Sequence, residues 1–365
     1  MRSVFAALLR PELDELRSYV PVDPPGIEVR LDANEAPAPD DDAIGRVVRE
    51  ALASVRLERY PDARALALKE AIARRTGAPV EALLVGSGSD EIIALLATAL
   101  ARPRGKSPQA VVMTPSPTFV MYRVTARGHG LKPLEVPLDA SWDLDAAGMK
   151  RALDFMPPNI VYIASPNNPT GNRVSTDRLE AICDAAPDAL VVLDEAYVDY
   201  AAGGSLRALR DRHPNLGVLR TLSKIGLAAL RVGWLEAEPA LVRELDKVRQ
   251  PFNLSATSQA AACAVLDHAW EHVTAATARI VAERARVTAA LSALAGVETT
   301  PSDANFVWVK VPRPAEEVHA ALAARGVLVR SFHATGGRLA RQLRITIGRP
   351  EENARMLAAL TEALA

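Results

Sequence analysis

The stretch LLVGSGSDEIIALLA, residues 83–97, combines the two periodicities of an α/β protein. A short apolar run ends at Gly86, and the alternating glycines and serines that follow predict a tight turn. From Asp90 onward the apolar residues recur at helical spacing, so we expect a helix to begin there. Strand, turn and helix in this order form the repeating unit of parallel sheets.

The same alternation continues on both sides of this stretch. Other strand-like runs lie at 110–114, 131–138, 159–165, 189–195, 216–222 and 231–237. Helical patterns such as 89–102 and 175–186 separate most of them. Apolar strands alternating with helices predict the α/β class, with a mostly parallel sheet sandwiched by helices.

The length predicts more than one domain, because 365 residues exceed what one compact core holds. An alanine-rich helical region fills about 255–295 and leads into a second set of strands and helices. We therefore predict an N-terminal arm, 1–35, that packs with a small α+β domain, 256–365. Residues 36–255 form the predicted large domain.

Composition excludes several classes of protein. The formal net charge of −1 argues against nucleic acid or a membrane surface as the main partner. No apolar run is long enough to span a bilayer, and the two cysteines form no CxxC pair, which favours a cytoplasmic protein. His268 and His272 have helical spacing without a third ligand, so we predict no metal site.

The turn at 86–89 is a candidate phosphate site, because backbone N–H groups at a helix N-terminus bind anions. Glu91 stands where the third glycine of a dinucleotide fingerprint belongs, so that motif is excluded. An ordinary helix cap formed by Ser89 and Asp90 is the alternative interpretation.

Two other motifs follow predicted strands. SPNNPTGN, 165–172, can present the Asn168 amide at the carboxyl edge of the sheet, where ligands bind in open α/β folds. LVVLDEAYVDY, 190–200, puts Asp194 at the same edge, with Tyr197 three residues later. A carboxylate there can pair with a cationic ring nitrogen. A turn-forming asparagine and an exposed strand end are the alternatives.

TLSKIGLAALRVGW, 221–234, contains a lysine in an apolar setting. A lysine in such a setting forms an ion pair, has a shifted pKa or forms a covalent bond. The alternative is that its side chain extends far enough for the ammonium group to reach solvent. Ser223 and Arg231 can add donors to a phosphate, although an arginine here can also form a structural ion pair. Together with Asn168, Asp194 and Tyr197, Lys224 suits pyridoxal phosphate, with the lysine as Schiff-base partner.

The order GSGSDE, SPNNPTG, DEAY, TLSK and LRVG resembles the fold-type I pyridoxal-phosphate aminotransferases over nearly the whole chain. Within that group, the sequence is most similar to the histidinol-phosphate aminotransferases. The motifs of that branch are LRSYVP at 16–21, LDANEAP at 31–37, RYPD at 59–62, SPTFVMY at 116–122, GVLVRSF at 326–332 and QLRITIG at 342–348.

The resemblance implies a role for each matching residue. Lys224 bonds covalently to pyridoxal 5'-phosphate and moves a proton at the substrate Cα, and Asp194 pairs with the ring nitrogen. The other cofactor contacts are Ser89, Asp90, Phe119, Asn168, Tyr197, Ser223 and Arg231. Tyr60 reaches the phosphate in the neighbouring subunit, which implies a homodimer with shared sites. The implied substrate contacts are Tyr19, Asn34, Tyr122, Arg330 and Arg344.

The chain departs from its relatives at two places. The segment from Lys224 to Arg231 is one residue shorter than in many of them. Phe119 occupies the stacking position where tyrosine is common, so a hydroxyl is lost while the ring face remains.

The resemblance implies transfer of an amino group between L-histidinol phosphate and 2-oxoglutarate by a ping-pong mechanism, in L-histidine biosynthesis. Arg330 and Arg344 can serve a phosphate in one half-reaction and a carboxylate in the other, although either can also be a surface ion pair. The alternatives are a broad-range aromatic aminotransferase and a threonine-phosphate decarboxylase. A cofactor-binding regulator would need an added DNA-binding domain, for which this chain has no room.

Overall fold

The computed structural model describes residues 8–18, 24–39 and 42–365. It contains two sheets with helices packed around them. The strands are β1 Val29–Leu31, β2 Leu83–Ser87, β3 Val111–Ser116, β4 Lys132–Pro137, β5 Ile160–Ala164, β6 Leu190–Asp194, β7 Leu216–Thr221, β8 Val232–Glu236, β9 Glu298–Thr300, β10 Phe306–Lys310, β11 Val327–Ser331 and β12 Gln342–Thr346.

The helices lie between the strands, as the alternating pattern predicts. They are α1 Ala43–Ala53, α2 Leu66–Thr76, α3 Ser89–Ala99, α4 Met121–Gly128, α5 Ala146–Phe155, α6 Thr176–Ala185, α7 Pro239–Asp246, α8 Ala256–His268, α9 Trp270–Ser292, α10 Ala315–Ala324 and α11 Pro350–Leu364. None of the helices in the described part of the chain is long and apolar enough to cross a membrane.

The large sheet has the strand order β2-β8-β7-β6-β5-β3-β4. Only β8 runs antiparallel to its neighbours, so the predicted mostly parallel sheet is confirmed. Strands β5, β6 and β7 lie in the middle, and their side chains are almost all buried. The register aligns Ala164 of β5 with Asp194 of β6, so these strands end at one edge of the sheet.

The small sheet has the order β1-β11-β12-β10-β9. Strand β1 of the N-terminal arm joins it parallel to β11, with Val29 opposite Val327 and Leu31 opposite Val329. The earlier turn Pro11–Glu15 lies against α4, beside the large sheet. The arm therefore pairs with the small sheet and also contacts a helix that flanks the large one.

The two predicted domains share buried surface. One apolar core runs from Leu68 and Val85 near the large sheet to Phe306 and Leu360 near the small one. Helix α8, which begins at the predicted boundary, packs on α1 and α2. The boundary at residue 255 stays a prediction.

Arg338 links the loop before β12 to the loop after β4. Its guanidinium lies 3.7 Å from the centre of the Trp142 ring and donates to the carbonyls of Leu138 and Asp139 at 3.0 and 2.9 Å. Trp142 in turn meets Trp308 of β10 edge to face, at 6.0 Å between ring centres. A cation–π contact and an aromatic contact thus connect the two sheets.

Strand β8 passes very close to the start of α3. A Cβ atom added at Gly233 would lie 2.6 Å from the Ser89 nitrogen and 2.7 Å from the Gly88 carbonyl carbon. Backbone atoms cannot rotate away as a side chain can, so only glycine permits this approach. The position of the α3 N-terminus thus depends on Gly233.

We expect Gly233→Ala to lower the free energy of unfolding by about 1–3 kcal/mol, because overpacking here must displace backbone. Gly217→Ala on the adjacent strand is the matched control. A Cβ atom added there would lie nearest to the far end of the Leu235 side chain, at 3.2 Å. Urea unfolding of both variants measures the effect. Equal stability of the two variants would show that the α3 N-terminus yields easily.

Candidate active site

A cleft opens at the carboxyl ends of β5, β6 and β7, and encloses about 540 Å³ of space, part of it open to solvent. It brings together ten of the residues singled out in the sequence, which are Ser89, Asp90, Phe119, Tyr122, Asn168, Asp194, Tyr197, Ser223, Lys224 and Arg231. These residues come from six separate stretches of the chain. The topology of the sheet therefore assembles the site.

One end of the cleft is built to hold an anion. Helix α3 begins at Ser89, directly after Gly88, whose φ of 77° favours glycine. Arg231 lies over this turn, with its Nη1 3.4 Å from the Ser223 hydroxyl and its Nη2 3.9 Å from the Asp90 carboxylate. The helix N-terminus and the guanidinium both favour negative charge at this point.

Glu91 explains why the dinucleotide pattern is broken here. Its carboxylate accepts hydrogen bonds from the Ser87 backbone nitrogen at 2.5 Å and from the Asn253 side chain at 2.7 Å. Glu91 therefore stabilises the turn, and it is not one of the residues that line the cleft. A glycine in its place would leave the turn without this support.

The shortened segment between Lys224 and Arg231 still returns the guanidinium to the cleft. The chain makes one wide turn, Ser223–Leu227, and then a tighter one, Ala228–Leu230. Arg231 then adopts a left-handed conformation with φ of 51°. This unusual conformation for a non-glycine residue reverses the chain into β8.

Lys224 is half-buried at the floor of the cleft. Its backbone carbonyl accepts a hydrogen bond from the Tyr200 hydroxyl at 2.5 Å, which anchors the residue. Among the described residues, no side chain forms a hydrogen bond or an ion pair with its ammonium group. The amine is therefore held in the cleft and remains available for chemistry.

Asp194 is the most deeply buried charge in the cleft, with 5% of its surface exposed. Tyr122 donates to its Oδ2 at 2.5 Å, and the Ala196 backbone nitrogen donates to its Oδ1 at 2.9 Å. Burial raises the pKa of Asp194 to about 6, although these hydrogen bonds and the nearby Lys224 ammonium oppose the rise. The carboxylate therefore favours a cationic partner.

Residues near the small sheet hold two of the side chains that line the cleft. Arg344 of β12 donates to the Asn168 side-chain oxygen at 2.6 Å, and Asn34 donates to the Tyr197 hydroxyl at 2.9 Å. Asn34 is itself buried, with a left-handed φ of 58°, and its side-chain oxygen accepts from the Thr346 hydroxyl at 3.1 Å. The structure thus places Asn34 behind Tyr197.

Arg330 and Arg344 lie opposite each other on β11 and β12. Arg344 is buried, whereas Arg330 is exposed and has no carboxylate partner among the described residues. Two like charges facing each other across strands repel, so an anion that bridges them would be stabilising.

Five of the singled-out residues remain. Asn34, Arg330 and Arg344 lie near the small sheet and, like Tyr60, are not among the residues that line the cleft. Tyr60 is 83% exposed and stacks on Phe252, with 4.7 Å between the ring centres. Tyr19 lies outside the described residues. The role of each remains a prediction.

The sequence reading missed some residues that matter to the site. Tyr200 anchors Lys224, Thr221 lines the cleft and donates to the Ser223 hydroxyl at 2.9 Å, and Glu91 braces the α3 turn. The residue types of Tyr200 and Glu91 are common in turns and strands, and Glu91 stands out in the sequence only as a departure from the dinucleotide pattern, so their supporting roles could not be predicted. Thr221 alone had a signal, since it ends a strand that leads directly to Lys224.

Residues 27–360 match the family model of class I and II aminotransferases. The chain belongs to this aminotransferase family. It is 40% identical over 362 residues to the histidinol-phosphate aminotransferase of Chromobacterium violaceum, which covers 99% of each chain. It is 41% identical over 358 residues to that of Methylibium petroleiphilum, covering 97% and 94%. The predicted resemblance to this group is confirmed.

Solved aminotransferase structures share the fold. The histidinol-phosphate aminotransferase of Sinorhizobium meliloti, in complex with pyridoxal-5'-phosphate, superposes with a TM-score of 0.84 at 27% identity, covering 98% and 97% of the chains. The L-threonine-O-3-phosphate decarboxylase of Porphyromonas gingivalis, at 22% identity and a TM-score of 0.76, covers 92% and 99% and shares the fold alone. The predicted fold type of this aminotransferase is confirmed.

The cleft of this aminotransferase fits the cofactor predicted from the sequence. Pyridoxal phosphate needs an anion site, a partner for its ring nitrogen, a surface for its ring and an amine. The α3 N-terminus with Arg231, the buried Asp194, the Phe119 ring and Lys224 supply these four features within one cleft. Without the cofactor, burial raises the pKa of Asp194. A cationic ring bound beside the carboxylate would favour its ionised form and so fits this site.

Asp194→Asn should stabilise the cofactor-free protein at pH 8 by up to roughly 3 kcal/mol. The folded-state pKa of about 6 exceeds the ordinary value of 3.8, so the folded protein binds this proton more tightly. Wild-type stability therefore falls as the pH rises from about 4 to about 6, and the loss persists above that range. The variant lacks this loss, and its advantage should vanish near pH 4.

Urea unfolding without cofactor, from pH 4 to 8, measures this difference. Asp188→Asn removes a carboxylate whose side chain is 84% exposed and should show no such gain. If Asp194→Asn were no more stable than the wild type at pH 8, the carboxylate would not be under strain from burial.

Proposed function

We propose that this chain is a pyridoxal-phosphate-dependent histidinol-phosphate aminotransferase, with glutamate and 2-oxoglutarate as the second substrate pair. The observation that carries the proposal is the single cleft in which Lys224, Asp194 and the α3 anion site lie together. Full-length similarity to curated histidinol-phosphate aminotransferases supports the choice of substrate.

Lys224 would be both the covalent anchor of the cofactor and the base of the reaction. When bound, pyridoxal phosphate supplies an electron sink for the electron pair left on the substrate Cα. The amine of Lys224 would take the proton from the substrate Cα and carry it to the acceptor carbon on the other side of the substrate nitrogen. Because no described residue forms a hydrogen bond with this amine, it is able to move between these positions.

The other residues of the cleft would hold the cofactor and set its charge. Asp194 keeps the ring nitrogen protonated by offering a negative partner in a dry setting. Asn168 and Tyr197, which line the cleft, would bond the phenolic oxygen, while Arg231, Ser223 and the first amides of α3 would hold the phosphate. Phe119 covers one face of the ring.

Arg330 and Arg344 would recognise the anionic end of each substrate. A ping-pong reaction brings a phosphate into the site in one half-reaction and a carboxylate in the other, so one anion site must serve both. Guanidinium groups bond both anions as planar forks. The exposed Arg330, free of a carboxylate partner among the described residues, can adjust to the larger phosphate.

The proposed enzyme works as a homodimer that shares residues between sites. Tyr60 is 83% exposed although its ring is largely apolar, and it stacks on Phe252, which is 42% exposed. Leu57 nearby in sequence is 85% exposed. An apolar surface of this kind favours contact with a second copy, where Tyr60 would reach the partner's phosphate site.

Titration of the cofactor's visible absorbance tests the reaction. Adding L-histidinol phosphate alone should bleach the band of the loaded protein at low concentration, and 2-oxoglutarate should restore it. Lys224→Ala should lose activity by several orders of magnitude while retaining its fold, because it removes both anchor and base. Lys247→Ala, which changes a surface lysine directly after α7, is the control.

The alternatives give different results in the same assay. L-phenylalanine bleaching the band better than histidinol phosphate would indicate a broad aromatic aminotransferase. Release of CO₂ from L-threonine phosphate without any need for 2-oxoglutarate would indicate a decarboxylase. Absence of the band in every preparation would overturn the covalent role of Lys224.

Mixed dimers test the shared site. Lys224→Ala and Tyr60→Ala homodimers should each be impaired, whereas a mixed dimer has one site with both native residues. Random reassortment should therefore recover roughly a quarter of wild-type activity. Analytical ultracentrifugation should show dimers throughout. A mixture no more active than the mean of the two homodimers would contradict sharing through Tyr60.

A further inference from the structure

Three aromatic rings form a stack beside Asp194. Tyr122 and Tyr162 lie parallel with 4.5 Å between ring centres, and Phe119 meets Tyr122 edge to face at 5.4 Å. Tyr122 and Tyr162 are each 1% exposed. The stack therefore holds the Tyr122 ring on both sides, and it limits rotation of the ring.

The two tyrosine hydroxyls of the stack have different surroundings. The Tyr122 hydroxyl donates to Asp194 Oδ2 at 2.5 Å, whereas the Tyr162 hydroxyl is buried with no hydrogen-bond partner among the described residues. A buried hydroxyl without a partner gains no hydrogen-bond energy, so phenylalanine can replace such a tyrosine without losing an interaction. The two tyrosines therefore allow a hydroxyl that donates a hydrogen bond to be compared with one that does not.

The hydrogen bond from Tyr122 completes the support of the Asp194 carboxylate. Ala196 holds one oxygen and Tyr122 holds the other, so the plane of the carboxylate is fixed. Each oxygen accepts one hydrogen bond and retains further acceptor capacity toward the cleft. Because both oxygens are held, the remaining lone pairs of the carboxylate keep a fixed direction toward the cleft.

We propose that Tyr122 is a positioning residue that acts through Asp194, orienting its carboxylate and keeping it ionised, and that it makes no contact with the substrate. This inference rests on the proposed function, in which Asp194 holds the cofactor ring nitrogen. The burial of Tyr122 supports it, since this side chain lines the cleft but, with 1% of its surface exposed, offers little area to a substrate.

Electrostatics favours the same role. Burial and the Asp194 charge raise the pKa of Tyr122 well above its usual value, so the hydroxyl stays a donor at every working pH. Its hydrogen bond favours the ionised carboxylate and lowers the pKa of Asp194, against the larger rise from burial. Removing the hydroxyl should shift the ionisation of Asp194 to higher pH.

Tyr122→Phe tests the proposal, with Tyr162→Phe as the matched control. Each variant removes one buried hydroxyl from the same stack and keeps the ring. For Tyr122→Phe we expect cofactor binding to the cofactor-free protein to weaken about 10- to 100-fold at pH 7, the effect of losing one hydrogen bond to a charge. The pH at which binding declines on the acid side should also move upward. Tyr162→Phe should match the wild type in both respects.

Steady-state kinetics separates positioning from substrate contact. Tyr122→Phe saturated with cofactor should lower kcat and leave the KM for histidinol phosphate within about twofold. A raised KM with an unchanged pH profile of cofactor binding would make Tyr122 a substrate contact and overturn the proposal. Equal behaviour of the two tyrosine variants would overturn it as well. Failure of the wild type to bind pyridoxal phosphate would instead refute the proposed function.

Discussion

The site depends on one buried carboxylate at the end of a central strand. Asp194 lies where water cannot compensate its charge, and within the described part of the chain only two hydrogen bonds and a nearby ammonium take its place. An incompletely compensated charge lowers stability in the free protein and strengthens attraction for a cation in the cleft. The strain on the free protein and the affinity for a protonated ring have the same physical origin.

The cleft is also a junction between the two sheets. Asn168 and Tyr197 follow strands of the large sheet, yet their side chains are held by Arg344 and Asn34 from the region of the small sheet. Arg338 stacked on Trp142 ties the same two regions together elsewhere. Any movement of the small sheet would therefore be transmitted to the polar groups that are predicted to contact the cofactor. The predicted anion site at Arg330 and Arg344 lies on the small sheet.

Several features could be read from the sequence because they depend on local patterns. The strands, the helix that begins at Ser89 and the turn at Pro166–Gly171 follow from periodicity and from turn-forming residues. Tyr122 and Asn34 were assigned to the substrate pocket by resemblance. The structure places one against Asp194 and the other behind Tyr197. Their bonding partners lie 72 and 163 residues away, and no local pattern encodes such pairs.

The sequence by itself determined the fold class, the family and the chemical types gathered at the carboxyl edge of the sheet. Parallel strands that end in polar residues must bring those residues to one edge, whatever the details of packing. The tertiary structure alone decided which groups touch. Packing between distant segments produces the approach of β8 to α3 at Gly233 and the hydrogen bond from Tyr122 to Asp194. It also buries the Tyr162 hydroxyl, which has no partner among the described residues. Such contacts depend on distances of a few ångströms, and a one-dimensional pattern does not specify them.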